Sequence, residues 1–287
     1  MRREQVTIGR KTISYLTSEP SAPAVRQHPL RTVVFLHAFP LQAAMWESTL
    51  GAIPDGWRGI APDLRGFGES SLPEPDPPSR DAARVGVASH RMTEFAGDVI
   101  DLLDRLEVTE AAVVGCSMGG YVLFEMLKAA PRYISAVGLV STKPGSDSDE
   151  AKANRAKMIQ KVEQEGIDAI ADQMLPKLLG ATTQRDRPEL TKRVRDLIVA
   201  NTRQGVGTAV TAMMERRDST PLLGGITVPT LIVAGAEDTL IPPTEADAMH
   251  RAIPTSQYEL MPFAGHLPNL EQPGPFDAVL SQFLQRL

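Results

Sequence analysis

Residues 111–126 read Ala111-Ala112-Val113-Val114-Gly115-Cys116-Ser117-Met118-Gly119-Gly120-Tyr121-Val122-Leu123-Phe124-Glu125-Met126. A strand-length apolar run enters, a helix-compatible run leaves, and between them stands Gly-X-Ser-X-Gly. Small residues on both sides let a strand reverse tightly into a helix, holding one serine in a strained conformation with its Oγ above the sheet. Two glycines around a serine are common in loops. The strand-turn-helix setting separates a nucleophile elbow from a Gly-rich packing turn.

A serine hydroxyl is a poor nucleophile at neutral pH, so Ser117 needs a base and the base needs an orienting acid. Of His28, His37, His90, His250 and His266, only His266 lies late, in a loop between the strand-like Tyr258–Met261 and a helix-like run over Pro275–Leu287. The acid is expected at Asp238, which ends the buried-type strand Thr230-Leu231-Ile232-Val233-Ala234-Gly235. Asp147 and Asp149 are the rival acids. They read as a solvated loop leading into a helix, whose N-terminal end favours acidic side chains.

The order Ser117, Asp238, His266 resembles that of the α/β-hydrolase superfamily, and further segments extend the resemblance over nearly the whole chain. Val33-Val34-Phe35-Leu36-His37-Ala38-Phe39-Pro40 looks like the family's strand and His-Gly-X-Pro loop, and Asp63-Leu64-Arg65-Gly66-Phe67-Gly68-Glu69-Ser70 like its structural turn. Phe263-Ala264-Gly265-His266, followed by Glu271 and Pro273, is similar to its catalytic-histidine segment. The resemblance implies an oxyanion hole from the N–H groups of Phe39 and Met118. It implies that His37 ties loops together and carries no proton in the reaction. Two positions depart from the pattern. Ala38 replaces a glycine beside the oxyanion loop, and Cys116 stands where histidine is common, reading as a small buried hydrophobe.

Composition fits an ordinary globular core. The chain has 287 residues, 42% hydrophobic, and a net charge of −5 without a basic cluster, so no nucleic-acid partner is expected. Apolar runs fall short of the roughly 18 residues a membrane helix needs. Met1–Val6 lacks the apolar stretch of a secretory signal, and a single cysteine suits a reducing compartment, so a cytoplasmic location is expected. Neither metal-ligand spacing nor a phosphate-binding glycine loop appears, so no cofactor or metal is expected. Self-association stays open.

Val6–Ile8 and Thr12–Leu16 alternate as an antiparallel opening pair. Val33–Leu36, Ala111–Val114, Ile134–Val140 and Leu231–Ala234 are continuous apolar runs, suited to parallel strands buried on both faces. Helices are expected over Met92–Leu106 and Tyr121–Lys128, with Asp277 on the polar side of the last helix. Ser18–Pro29 and Pro73–Pro78 read as loops. From Thr142 to Pro221 strand patterns vanish. Val206, Ala209, Val210, Met213 and Met214 form a helical stripe, and Ala151–Val162 and Lys192–Thr202 are helix-like. The resulting fold class is α/β: a mostly parallel eight-stranded sheet flanked by helices, with a helical cap (144–218) inserted after strand 6 of a core formed by 1–143 and 219–287.

The expected reaction is hydrolysis of a small to medium carboxylic ester through an acyl-enzyme. Serine at 117 argues against the superfamily's dehalogenases and epoxide hydrolases, which use aspartate there. Enol-lactone hydrolysis, cofactor-free perhydrolysis or haloperoxidation, C–C bond hydrolysis and a non-enzymatic small-molecule receptor are the alternatives. Trp46, Met213 and Met214 are expected to line the substrate pocket. Arg216 and Arg217 read as a solvated face, leaving no carboxylate clamp. Uncharged esters are therefore expected to outperform dicarboxylate-type enol-lactones.

Overall fold

The computed structural model describes residues 1–19, 30–73 and 91–287; nearly all of the expected loops over Ser18–Pro29 and Pro73–Pro78 lie outside them. Eight strands form one sheet in the order β1-β2-β4-β3-β5-β6-β7-β8. They are β1 (Arg2–Ile8), β2 (Lys11–Ser18), β3 (Arg31–Leu36), β4 (Trp57–Pro62), β5 (Ala111–Cys116), β6 (Ile134–Val140), β7 (Thr230–Gly235) and β8 (Ser256–Met261). β1 pairs antiparallel with β2, and β2 with β4, while every later pairing is parallel.

The central strands are buried because their side chains are apolar on both faces, the signature of parallel strands sandwiched between helices. β5 and β7 are buried along their whole length. The flanking helices are α1 (Glu47–Ala52), α2 (Met92–Arg105), α3 (Met118–Ala129), α9 (Pro243–Ala252), α10 (Pro268–Glu271) and α11 (Pro273–Gln285). α2 packs on α3, and α1 on α11. Asp277 is half-buried where the pattern placed it in water, and burial pushes its carboxyl up despite the nearby Thr49 hydroxyl.

Between β6 and β7 come five helices: α4 (Asp149–Glu165), α5 (Ile167–Leu178), α6 (Ala181–Asp186), α7 (Pro188–Val199) and α8 (Arg203–Met214). Ser148 caps α4 and Thr202 caps α8 through their side-chain oxygens. α4 packs on α8 and α5 on α7. Among the described residues, no helix is long and apolar enough to cross a membrane.

Strand order sets the position of the site. From β3 the chain steps outward to β4, then crosses back to β5 on β3's other side, with Leu36 opposite Gly115. In open α/β sheets the crevice beyond the strand C-termini at such a reversal is where ligands bind. Phe39 follows β3 and Ser117 follows β5 at that place.

Candidate active site

The elbow forms as its residue types require. Ser117 has φ 52° and ψ −111°, a left-handed conformation that costs a non-glycine residue about 1–3 kcal/mol. It is held by its neighbours. The Ser117 N–H donates to the Val140 carbonyl at 2.9 Å, and the Thr142 hydroxyl donates to the Ser117 carbonyl at 2.8 Å. A Cβ on Gly119 would collide with the Leu36 backbone and one on Gly120 with the Thr142 side chain, so glycine is needed at both.

Asp238 lies just beyond β7, and His266 in the loop after β8. His266 Nδ1 donates to Asp238 Oδ2 at 2.8 Å, and both side chains are almost wholly buried. The other carboxylate oxygen, Asp238 Oδ1, accepts the Leu240 and Ile241 N–H groups at 2.9 and 3.0 Å. A carboxylate so fixed holds the imidazole in one tautomer, leaving Nε2 as the proton acceptor.

Sequence reading took Glu271 as part of a motif without a task. Its buried carboxylate accepts the N–H groups of Gly265 at 2.9 Å and Leu267 at 3.1 Å, on either side of His266. Its second oxygen accepts the Gly180 N–H at 2.7 Å, and the His266 N–H donates to the Leu178 carbonyl at 3.2 Å. The histidine loop is therefore anchored both to α10 and to the segment after α5. The one signal in the sequence was its place five residues after His266, within the segment that resembles the family's catalytic-histidine segment.

At the end of β3, the Ala38 N–H meets Met45 Sδ at 3.2 Å. Among the described residues, no acceptor meets the N–H of Phe39 or of Met118, the first residue of α3. His37 is fully buried: its Nδ1 faces the Ala38 carbonyl at 3.0 Å, and Nε2 accepts the Leu64 N–H at 3.0 Å. Burial drives its pKa down to about 4, against smaller upward pulls from the Ala38 carbonyl and Asp63. It is a neutral tie between two loops. Cys116 is buried, and burial pushes its thiol far above the ordinary range, so it is no competing nucleophile.

These groups face a cavity of about 510 Å³ between the sheet and α4, α5 and α8. Phe39, Ser117, Tyr121, Leu240, Ile241 and His266 line it from the sheet side, and Arg155, Met158, Met174 and Met213 from the helices above. Met213 lies where the stripe pointed. Met214, a residue further along the helix and about 100° around it, is half-buried and does not line the cavity. Trp46 does not line it either. Its ring is fully buried against Phe35 and Phe276, at centroid distances of 5.2 and 6.1 Å, because the short turn Ala43–Trp46 folds it against β3 and α11. The Met118 side chain is also buried away from the cavity.

The largest departure concerns Asp147 and Arg216. Neither is solvated. Arg216 Nη1 donates to Asp147 Oδ1 at 2.6 Å with both side chains only 3% exposed, and Arg155 Nε pairs with Asp147 Oδ2. Burial alone would raise the Asp147 pKa, but the two guanidinium groups outweigh it and hold the carboxyl below its ordinary value. Arg216 also donates to the Met213 and Gly145 carbonyls at 2.9 and 2.8 Å and lies over the Tyr121 ring, 4.1 Å from its centroid. Such pairing leaves Asp147 no oxygen for His266. Arg217 is exposed, as the sequence implied.

With an elbow serine, a carboxylate-oriented histidine and two N–H groups at the ends of adjacent strands, the site is equipped for acyl transfer. The sequence profile of the alpha/beta hydrolase fold matches residues 31–273, and the chain belongs to that family. A thermophilic esterase from Thermogutta terrifontis, solved with malate bound, is 33% identical. It superposes with a TM-score of 0.87, covering 100% of this chain and 99% of that one. The 3-oxoadipate enol-lactonase 2 of Acinetobacter baylyi is 26% identical over 254 residues, 88% of each chain. A putative 2-succinyl-6-hydroxy-2,4-cyclohexadiene-1-carboxylate synthase of Bacillus subtilis is also 26% identical, over 88% of this chain and 89% of its own. The chain is an enzyme of this superfamily with a hydrolase's fold.

Proposed function

We propose that the protein hydrolyses carboxylic esters, open-chain or cyclic, through an acyl-enzyme on Ser117. The observation that carries this is the buried 2.8 Å bond between His266 Nδ1 and Asp238, opening on the same cavity as a backbone-strained Ser117. Ser117 Oγ attacks the ester carbonyl as His266 Nε2 takes its proton. Asp238 keeps the ring oriented and stabilises the imidazolium. The N–H groups of Phe39 and Met118 receive the oxyanion, each donor contributing about 3 kcal/mol to the transition state. His266 then protonates the leaving alkoxide, and water, activated by the same histidine, releases the acid. Residues 144–218 act as the cap that roofs the cavity.

A lactone is an internal ester and needs the same steps, so the esterase and enol-lactonase relatives both support this reading. Turnover of p-nitrophenyl acetate and butyrate tests it. The wild type is expected to hydrolyse both, and Ser117→Ala to lose about a millionfold in kcat, keeping only the acceleration over water that binding and the oxyanion hole supply. A folded wild type that turns over neither ester nor a simple lactone would refute the reading.

A further inference from the structure

The cavity wall holds four cations, Lys143, Arg155, Lys157 and Lys177, against one carboxylate, Asp147. That carboxylate is already taken, one oxygen by Arg216 and the other by Arg155. Lys143, Lys157 and Lys177 make no hydrogen bond or ion pair among the described residues. A chain with a net charge of −5 thus sets three unpaired lysines along the cavity that holds its nucleophile. A low-dielectric cleft lined by one sign of charge concentrates ligands of the other.

Lys143 has the closest tie to the chemistry. It follows Thr142, whose hydroxyl holds the Ser117 carbonyl, so its backbone is one residue from a group bonded to the elbow. It is half-buried, while Lys157 and Lys177 are exposed on α4 and α5 at the rim. Arg155 spends Nε on Asp147 and turns Nη1 to Met213 Sδ at 3.6 Å, which leaves Nη2 facing no partner among the described residues. All three lysines border the cavity that also contains Ser117 and His266.

We propose that the substrate carries a carboxylate besides its scissile ester or lactone bond, held by Lys143 with Arg155 beside it, while Lys157 and Lys177 draw the anion in. The proposal rests on the ester-hydrolase reading and deepens it, replacing the uncharged substrate expected from sequence. The Asp147–Arg216 pair has its own place in it: by occupying Asp147, Arg216 prevents that carboxylate from neutralising the wall.

Mono-p-nitrophenyl glutarate and p-nitrophenyl valerate share a five-carbon acyl chain and differ in a terminal carboxylate against a methyl. After subtraction of uncatalysed hydrolysis, the glutarate ester is expected to show about tenfold higher kcat/KM at low ionic strength, the scale of one charge-assisted hydrogen bond. The advantage should shrink as sodium chloride screens the rim lysines. It should fall severalfold in Lys143→Met and be restored in Lys143→Arg. A wild type that favours valerate, or a preference unmoved by Lys143→Met, overturns the proposal and leaves ester hydrolysis standing. Calorimetry on Ser117→Ala reads the same question without turnover. Monomethyl glutarate should bind more tightly than methyl valerate, with the difference lost in Ser117→Ala/Lys143→Met. Equal binding refutes the carboxylate site whatever the fate of the hydrolase reading.

Discussion

Lowering the pH should destabilise this protein through His37, and the size of the effect follows from its burial. The folded chain holds the imidazole neutral down to about pH 4, whereas the unfolded value is 6.5. Between those values the unfolded state binds the extra proton, so stability is fully present above pH 6.5 and is lost as pH falls towards 4. The full difference is worth about 3 kcal/mol, and about 2 kcal/mol of it is lost between pH 7.5 and pH 5. No solvent discount applies, since the ring is completely buried. Protonation also turns Nε2 from acceptor to donor, so the Leu64 N–H loses its partner and the loop bearing Phe39 loses a tie. Urea unfolding of the wild type and His37→Gln at both pH values isolates the effect, because other titrating groups are common to both. The wild type should lose about 2 kcal/mol more than the variant over that interval. Equal losses would refute the reasoning.

Other substitutions separate carboxylates that sequence pattern alone left in competition. Asp238→Asn should lower kcat about a thousandfold or more with little change in thermal midpoint, because it spoils the tautomer and not the fold; enzyme kinetics beside a melting curve decide this. Asp147→Asn should do the reverse: removing the partner of a buried Arg216 costs about 3 kcal/mol of stability by urea unfolding, with kcat on valerate falling far less than in Asp238→Asn. Glu271→Gln should cost about 2 kcal/mol and lower kcat more than it raises KM, since an amide cannot accept all three backbone N–H groups around the histidine loop.

The parts of the molecule legible in sequence were those governed by local rules. Val33–Leu36, Ala111–Val114, Ile134–Val140 and Leu231–Ala234 announced β3, β5, β6 and β7 because strands buried on both faces must be apolar throughout. The glycines of the elbow were legible because backbone crowds them. β4 was not named: Arg58 and Gly59 interrupt its apolar run, and only pairing with β2 on one side and β3 on the other fixes it as a strand. Trp46 went astray because the sequence does not say which face of the sheet receives its ring, and the ring packs on Phe35 and Phe276. The pairing of Asp147 with Arg216 spans 69 positions, and charged residues in a polar stretch look solvated until the fold closes over them. Lys143 was not singled out at all, since a lysine in a polar stretch gives no sign of the cavity it lines.

The direct check on the site is covalent. Wild-type protein treated with a fluorophosphonate, which reacts with activated serines, is digested and the adduct located by mass spectrometry. One adduct per chain is expected, on Ser117, and it should be absent from Ser117→Ala and strongly slowed in Asp238→Asn. An adduct on any other residue, Cys116 included, or labelling of Ser117 at the same rate without the Asp238 carboxylate, would contradict acyl transfer by these three residues.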